Sequence, residues 1–475
     1  MNYFDFIIHY IDDNQNVFTK MSDEIWGFAE PRFQEYQSSQ LQQDYMRQQG
    51  FLISADLAGE KTAFIAEYGE GKPVIAFLGE FDSLPGLSQK ADKTCYSPII
   101  EGGNGHGCGH NLLGCASLTA AVTLKAYMQS NHISGTVRYY GCPAEENAGG
   151  KAYLVRDGYF NDCDIAITWH PGTVNKVTDS GSLANFRAFF TFKGIPAHAA
   201  GCPELGRSAL DAVELMDVGV NYMREHMIDQ ARIHYAITNP GGNAPNVVQQ
   251  EAQVLYAVRA PKIFQVKELF DRVCKIAKGA AMMTETEVTI RQVAAYSDYI
   301  ANPVISEQLG KNMDRIFPIY YTKEELAYAQ QFKNVITELD RKALKSTAAD
   351  LFGKEAGTKL LEQPIFTEVS KVVASPGSKG STDVGDVSWV CPTGQISTAC
   401  WAQGTAGHSW QVVAQGKSEI AHKGFLAASK VMAVTGCEFL MNPELVKKAH
   451  ASWITSLDGE KYPNPLPADV KPTLW

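Results

Sequence analysis

Along the first fifty residues the apolar positions recur at helical spacing: Phe4, Ile7, Ile8 and Ile11, then Ile25, Trp26 and Phe28. The segment 29–33, with Pro31, interrupts this pattern, and a second helix is expected from Ser38 to Gln49, closed by Gly50. The pattern then changes to short apolar runs at 62–66, 74–78, 136–140 and 164–168, each bounded by turn residues. Helices are predicted between them at 115–127 and 150–157. Runs as continuously apolar as Val74-Ile75-Ala76-Phe77-Leu78 suit strands covered on both faces, and the alternation with helices predicts a mixed, mostly parallel sheet flanked by helices.

From about residue 185 the order becomes strand (188–194), helix (208–226), two strands (234–238, 252–259), helix (265–283) and strand (287–293). This β-α-β-β-α-β order predicts a ferredoxin-like α+β domain inserted into the larger α/β one. The expected organisation is 1–184 and 297–475 for the main domain, with 185–296 as the insertion. Residues 301–370 read as helical and charged, 381–386 as a polar turn, 397–402 as a strand and 418–435 as a closing helix.

Composition narrows the function classes. A chain of 475 residues exceeds one compact core. A net charge of −10 without a basic cluster argues against nucleic acid as a partner. The N-terminus lacks the pattern of a secretory signal, and no apolar run approaches the ~20 residues of a membrane span. Ten cysteines without a C-x-x-C pair suit a reducing compartment, so a cytoplasmic protein is expected.

The chemistry collects where strands run out. Gly105-His106-Gly107-Cys108-Gly109-His110 offers a thiol and imidazoles on a backbone loosened by glycine, and residues two apart can reach one ion. Asp82, the pair Glu145 and Glu146, and His170 each follow an apolar strand, and ligands of open α/β sheets bind outside such carboxyl ends. His408 lies in a Gly-rich loop near the C-terminus. There is no G-x-S-x-G elbow, and the Gly-rich loop has neither the G-x-G-x-x-G spacing nor a Walker lysine, which removes serine hydrolases and nucleotide binding. Arg207 and Arg259 are candidates to hold a substrate carboxylate bidentately.

In order and context, Gly79-Glu80-Phe81-Asp82-Ser83-Leu84-Pro85, Gly107-Cys108-Gly109-His110, Cys142-Pro143-Ala144-Glu145-Glu146, Thr168-Trp169-His170-Pro171 and Gly407-His408 resemble the M20 metallopeptidase/amidohydrolase family, most of all its aminoacyl-hydrolase branch. The likeness extends to Gly194-Ile195-Pro196-Ala197-His198 and Asn246-Val247-Val248 in the inserted segment. It implies a hydrolase with two divalent ions, Mn²⁺ or Zn²⁺, that releases an amino acid from a small-molecule amide, such as p-aminobenzoyl-glutamate or another aryl- or acyl-glutamate. Cys108, His110, Glu146, His170 and His408 would be ligands, Glu145 the general base and Asp82 an orienting carboxylate. His198 would reach the substrate of a partner subunit, and Asn246 would bind substrate. A homodimer, or a heterodimer with a related subunit, is expected. Two positions depart from the family's pattern: Asn111 stands where many relatives have Asp, and Glu80 where other branches place a histidine ligand. His106 reads as structural. A general N-acyl-amino-acid amidohydrolase or dipeptidase is the rival activity. A non-catalytic scaffold subunit is the rival of another class; its signature, a missing ligand or base, is not seen here.

Overall fold

The structure, a computed structural model, describes residues 1–146, 148–370 and 380–474. The first sheet contains β1 (Leu52–Leu57), β2 (Glu60–Glu70), β3 (Val74–Glu80), β4 (Gly135–Cys142), β5 (Ile165–Gly172) and β6 (Lys176–Val177). After a second sheet, of β7 (Ala184–Lys193), β8 (Arg232–Asn239), β9 (Glu251–Ala260) and β10 (Glu287–Tyr296), the chain returns to the first with β11 (Thr393–Ala399). The order in the first sheet is β1-β2-β4-β3-β5-β11-β6. Its four central strands, β4, β3, β5 and β11, are parallel, and the marginal strands pair antiparallel.

The parallel core explains the apolar runs. All seven residues of β3 are buried. Ile75 and Phe77 pack under the helices Tyr3–Phe28, His110–Asn131 and Glu419–Met441, while Val74, Ala76 and Leu78 face the helices Gly150–Arg156 and Val384–Val390 on the other side. The helix Glu419–Met441 is long and apolar enough to cross a membrane, but its length is buried inside the structure as a core helix. The expected fold class is what the chain adopts.

The second sheet has the order β10-β7-β9-β8, all antiparallel. The helices Ala209–Met223 and Ile263–Thr284 cover one face. In β9, Val254, Tyr256 and Val258 are buried beneath them, while Gln253, Leu255, Ala257 and Arg259 alternate onto the opposite face.

Three local expectations are corrected, and two elements were not anticipated. The last strand starts at Thr393, not Ser397, because Thr393, Gly394 and Gln395 pair with Ala166, Ile167 and Thr168 of β5; burial at the sheet centre overrides their polar look. The expected turn at 381–386 leads into the helix Val384–Val390, its acids turned inward onto partners. His170 lies within β5 rather than past it. β1, an exposed edge strand, and the helix Pro443–Leu457 have no counterpart among the predicted elements.

Candidate metal centre and active site

The Gly105–His110 turn delivers Cys108 and His110 from opposite sides of a left-handed residue. Gly109 sits at φ +75°, and a Cβ there would lie 2.9 Å from the Trp401 ring and 3.0 Å from Pro171. Only glycine meets both demands, conformation and space. His110 then opens the helix His110–Asn131 and is fully buried.

His110 and His170 are each oriented through the nitrogen that does not face the site. His110 Nδ1 lies 2.8 Å from Asp82 Oδ1, so it carries the proton and leaves Nε2 as a bare acceptor. That Nε2 is 3.2 Å from Glu80 Oε2 yet has no hydrogen-bond partner among the described residues. His170 Nδ1 donates to the Pro171 carbonyl at 2.7 Å, which turns its Nε2 toward Cys108 Sγ at 3.3 Å. His408 is held at φ +55° by its amide donating to the Gly107 carbonyl, 3.0 Å, and its Nε2 stands 3.2 Å from Glu146 Oε1. Glu146 Oε1 likewise lacks a hydrogen-bond partner among the described residues.

Three groups of donor atoms converge within 4.8 Å: Cys108 with His110 and His170, Cys108 with Glu146 and His408, and Glu80 with His110 and Glu145. Cys108 belongs to two of them, so its sulfur sits where two ions would share a ligand. Lone pairs of Nε2 and Oε1 that face other lone pairs without a proton between them fit a cation, and the thiolate, imidazole and carboxylate set suits a borderline divalent ion.

The framework behind this set is ionic and sealed. Asp82 also accepts the Glu146 amide through Oδ2 at 2.8 Å, so one carboxylate fixes a histidine and the glutamate backbone together. Glu35, fully buried, accepts the Ala144 amide at 2.9 Å and the Thr62 hydroxyl at 2.8 Å. Ala144 lies at φ +57° immediately before Glu145. Lys151, with no exposed surface, bridges Glu80 Oε1 at 2.5 Å and Asp383 Oδ1 at 2.6 Å. Burial, together with the charges of Glu80 and Glu146, raises the Glu145 carboxyl well above the usual carboxylate range.

A cleft of about 630 Å³ opens over Cys108, Glu145, Glu146, His170 and His408, and Arg187, Arg259 and Tyr296 of the second sheet form its far wall. Of the arginines considered from sequence, Arg259 lines this cleft; Arg207 pairs with Glu285 at 2.9 Å and with loop carbonyls. His198 and Asn246 meet on an exposed loop, where the Ala199 amide donates to the Asn246 carbonyl; neither lines the cleft of its own chain. His106 turns away, its Nε2 3.0 Å from the Ile25 carbonyl, and burial lowers its pKa to about 3. Asn111 donates to Ser22 and Gly416 and is structural. Sequence reasoning missed Glu35, Lys151, Lys176, Arg187 and Asp383. A lysine in the apolar run Ala148–Val155 is the one local signal that pointed to any of them.

The model of peptidase family M20/M25/M40 matches residues 76–366. Over 98% of its length the chain is 43% identical to the B component of the p-aminobenzoyl-glutamate hydrolase of Escherichia coli K12, of which 99% is covered. The fold is shared with an aminobenzoyl-glutamate utilization protein of Klebsiella pneumoniae (TM-score 0.59, 16% identity, 90% of this chain and 97% of that one). It is shared as well with a dinuclear metal-binding M20 peptidase of Bacillus subtilis (TM-score 0.52, 14% identity, 89% and 98%). The family match, the near full-length identity and the shared fold lead to one assignment: this chain belongs to peptidase family M20/M25/M40 and is a metallo-amidohydrolase acting on amide bonds.

Proposed function

We propose that the protein hydrolyses p-aminobenzoyl-glutamate or a similar aryl- or acyl-glutamate, with two Mn²⁺ or Zn²⁺ ions held by Cys108, His110 and His170 on one side and Cys108, Glu146 and His408 on the other. The observation that carries the reading is the sharing of Cys108 Sγ by both donor groups, with Glu145 alongside. Divalent ions in such a site supply Lewis acidity toward the carbonyl and acidify water. The chain's own residues do the rest. Glu145, made basic by burial beside two other carboxylates, takes the proton of the attacking water and returns it to the departing nitrogen. Asp82 keeps His110 in the tautomer that leaves Nε2 bare. Arg259 on the far wall attracts a substrate carboxylate.

His198 supports a two-chain arrangement. Its Nδ1 accepts the amides of Ala200 and Gly201 at 3.2 and 3.0 Å, so the proton resides on Nε2, ready to donate to a carbonyl oxygen gaining charge. Since it stands outside its own cleft, a partner's cleft is the place for it, and Asn246 travels with it. The Escherichia coli relative is one component of a hydrolase with more than one kind of chain, which favours a related second chain over a homodimer. The segment 185–296 would then serve as lid and dimerisation domain. Ten free thiols favour a cytoplasmic location.

The test is elemental analysis of chelator-free protein coupled to an assay of p-aminobenzoyl-glutamate cleavage with added Mn²⁺ or Zn²⁺. About two ions per chain and metal-dependent cleavage are expected. Failure to take up metal after loading overturns the reading.

A further inference from the structure

The cleft has a second cationic pole that the chemistry above does not use. In the register of the first sheet, His170 of β5 lies opposite Ser397 of β11, and Ser397 lies opposite Lys176 of β6. In-register residues project to the same face, so the row that aims His170 at the donor cluster aims Lys176 into the same cleft, two strand spacings or roughly 10 Å farther along. All three residues line that cleft.

Lys176 is half-buried, yet its ammonium makes no hydrogen bond or ion pair with any described residue. Its surroundings are neutral and polar: Thr178, Gln395 and Ser397 line the same stretch. Asp179 is the acid whose charge reaches it, without an ion pair; burial nonetheless lowers the ammonium's pKa. The Ser182 hydroxyl, which also lines the cleft, is buried without a partner among the described residues, and so are both polar atoms of the Asn185 amide, which lies on the second sheet in register with Arg259. A lysine desolvated without a counter-ion, among neutral hydroxyl and amide groups, is stabilised by an anion that arrives with the ligand. Arg187 and Arg259 stand on the opposite wall, on the second sheet, and form a separate pole.

We infer that Lys176, with Thr178, Gln395 and Ser397, is a carboxylate subsite that selects doubly anionic substrates. One carboxylate of an acidic amino-acid moiety meets the arginine wall, and the other meets Lys176. The inference deepens the proposed function and rests on it.

The experiment compares metal-loaded wild type with Lys176→Met and Lys176→Arg on p-aminobenzoyl-glutamate, p-aminobenzoyl-glutamine and p-aminobenzoyl-alanine. Glutamate and glutamine amides have nearly the same shape and differ by one charge. Expected is a wild-type preference for the glutamate amide. In Lys176→Met, KM for that amide rises about tenfold or more with kcat within about twofold, consistent with the loss of one charge-assisted contact. The glutamine and alanine amides are unchanged, and Lys176→Arg keeps most of the preference. If wild type does not distinguish glutamate from glutamine, or Lys176→Met slows all three amides alike, the subsite is wrong while the amidohydrolase reading stands. If loaded wild type cleaves none of the three, the underlying reading fails.

Discussion

Glu35 accepts the Ala144 amide at 2.9 Å and holds that residue in the left-handed region at φ +57°, one position before Glu145. A residue with a Cβ costs about 1–2 kcal/mol in that conformation, so the aim of Glu145 and Glu146 depends on a buried carboxylate more than a hundred residues earlier. Replacing Glu35 with Ala should lower kcat by about tenfold or more, because a misplaced catalytic group is costly. Ala144→Gly should raise the unfolding free energy by up to about 1 kcal/mol through relief of the left-handed strain. Steady-state kinetics and chemical denaturation check the two. An Ala144→Gly that destabilises would show that the αL conformation is unstrained.

Glu145→Gln and His408→Ala should fail in different ways. The first keeps the donor set and removes the proton acceptor, so metal content stays and kcat falls by at least about 10²-fold. The second removes one of three donors from the Cys108, Glu146 and His408 group, so metal content falls. Metal analysis beside the assay separates them; full activity in Glu145→Gln would end the role given to that residue.

The Lys151 ammonium is compensated by Glu80 and Asp383 with no water access. Lys151→Met leaves two carboxylates buried without a counter-charge and should cost about 3–5 kcal/mol. Adding Glu80→Gln and Asp383→Asn should recover much of that loss. The measurement is the denaturation midpoint of the single and triple variants, and additive losses would refute the coupling.

A pH effect follows from Asp386. Its carboxylate accepts the Ser297 hydroxyl at 2.8 Å and the Tyr462 hydroxyl at 2.9 Å, but burial dominates and pushes its pKa to about 7. With the folded pKa above the unfolded value near 3.8, the folded state keeps this proton while the unfolded state gives it up. The sign therefore runs downward: this group's contribution to stability falls as pH rises from about 4 to about 7, by up to ~4 kcal/mol. Asp386→Asn should flatten that part of the stability curve, and a slope unchanged in this variant would assign it to another group.

The donor set was legible in sequence because its members are polar residues placed where apolar strands end, a local contrast that survives without coordinates. The strand at 393–399 was not, since Thr393, Gly394 and Gln395 owe their conformation to β5, more than 200 residues earlier. Lys151, Asp383 and Glu35 were hidden for the same reason. Each looks like an ordinary surface charge until tertiary contacts close around it. Lys176 was invisible because its role lies in what it fails to pair with.

The order of strands has a consequence for synthesis. β11 occupies the slot beside β5, but about 220 residues separate Gly172 from Thr393. At typical elongation rates this spans roughly 10–45 s. Throughout that interval β5 presents an unpaired parallel edge, the kind of surface that recruits stray strands. His408 emerges later still, so one donor group cannot close until after β11 has been made. The nascent chain must therefore be sheltered until β11 arrives, and truncation before residue 393 should yield aggregates rather than a smaller enzyme.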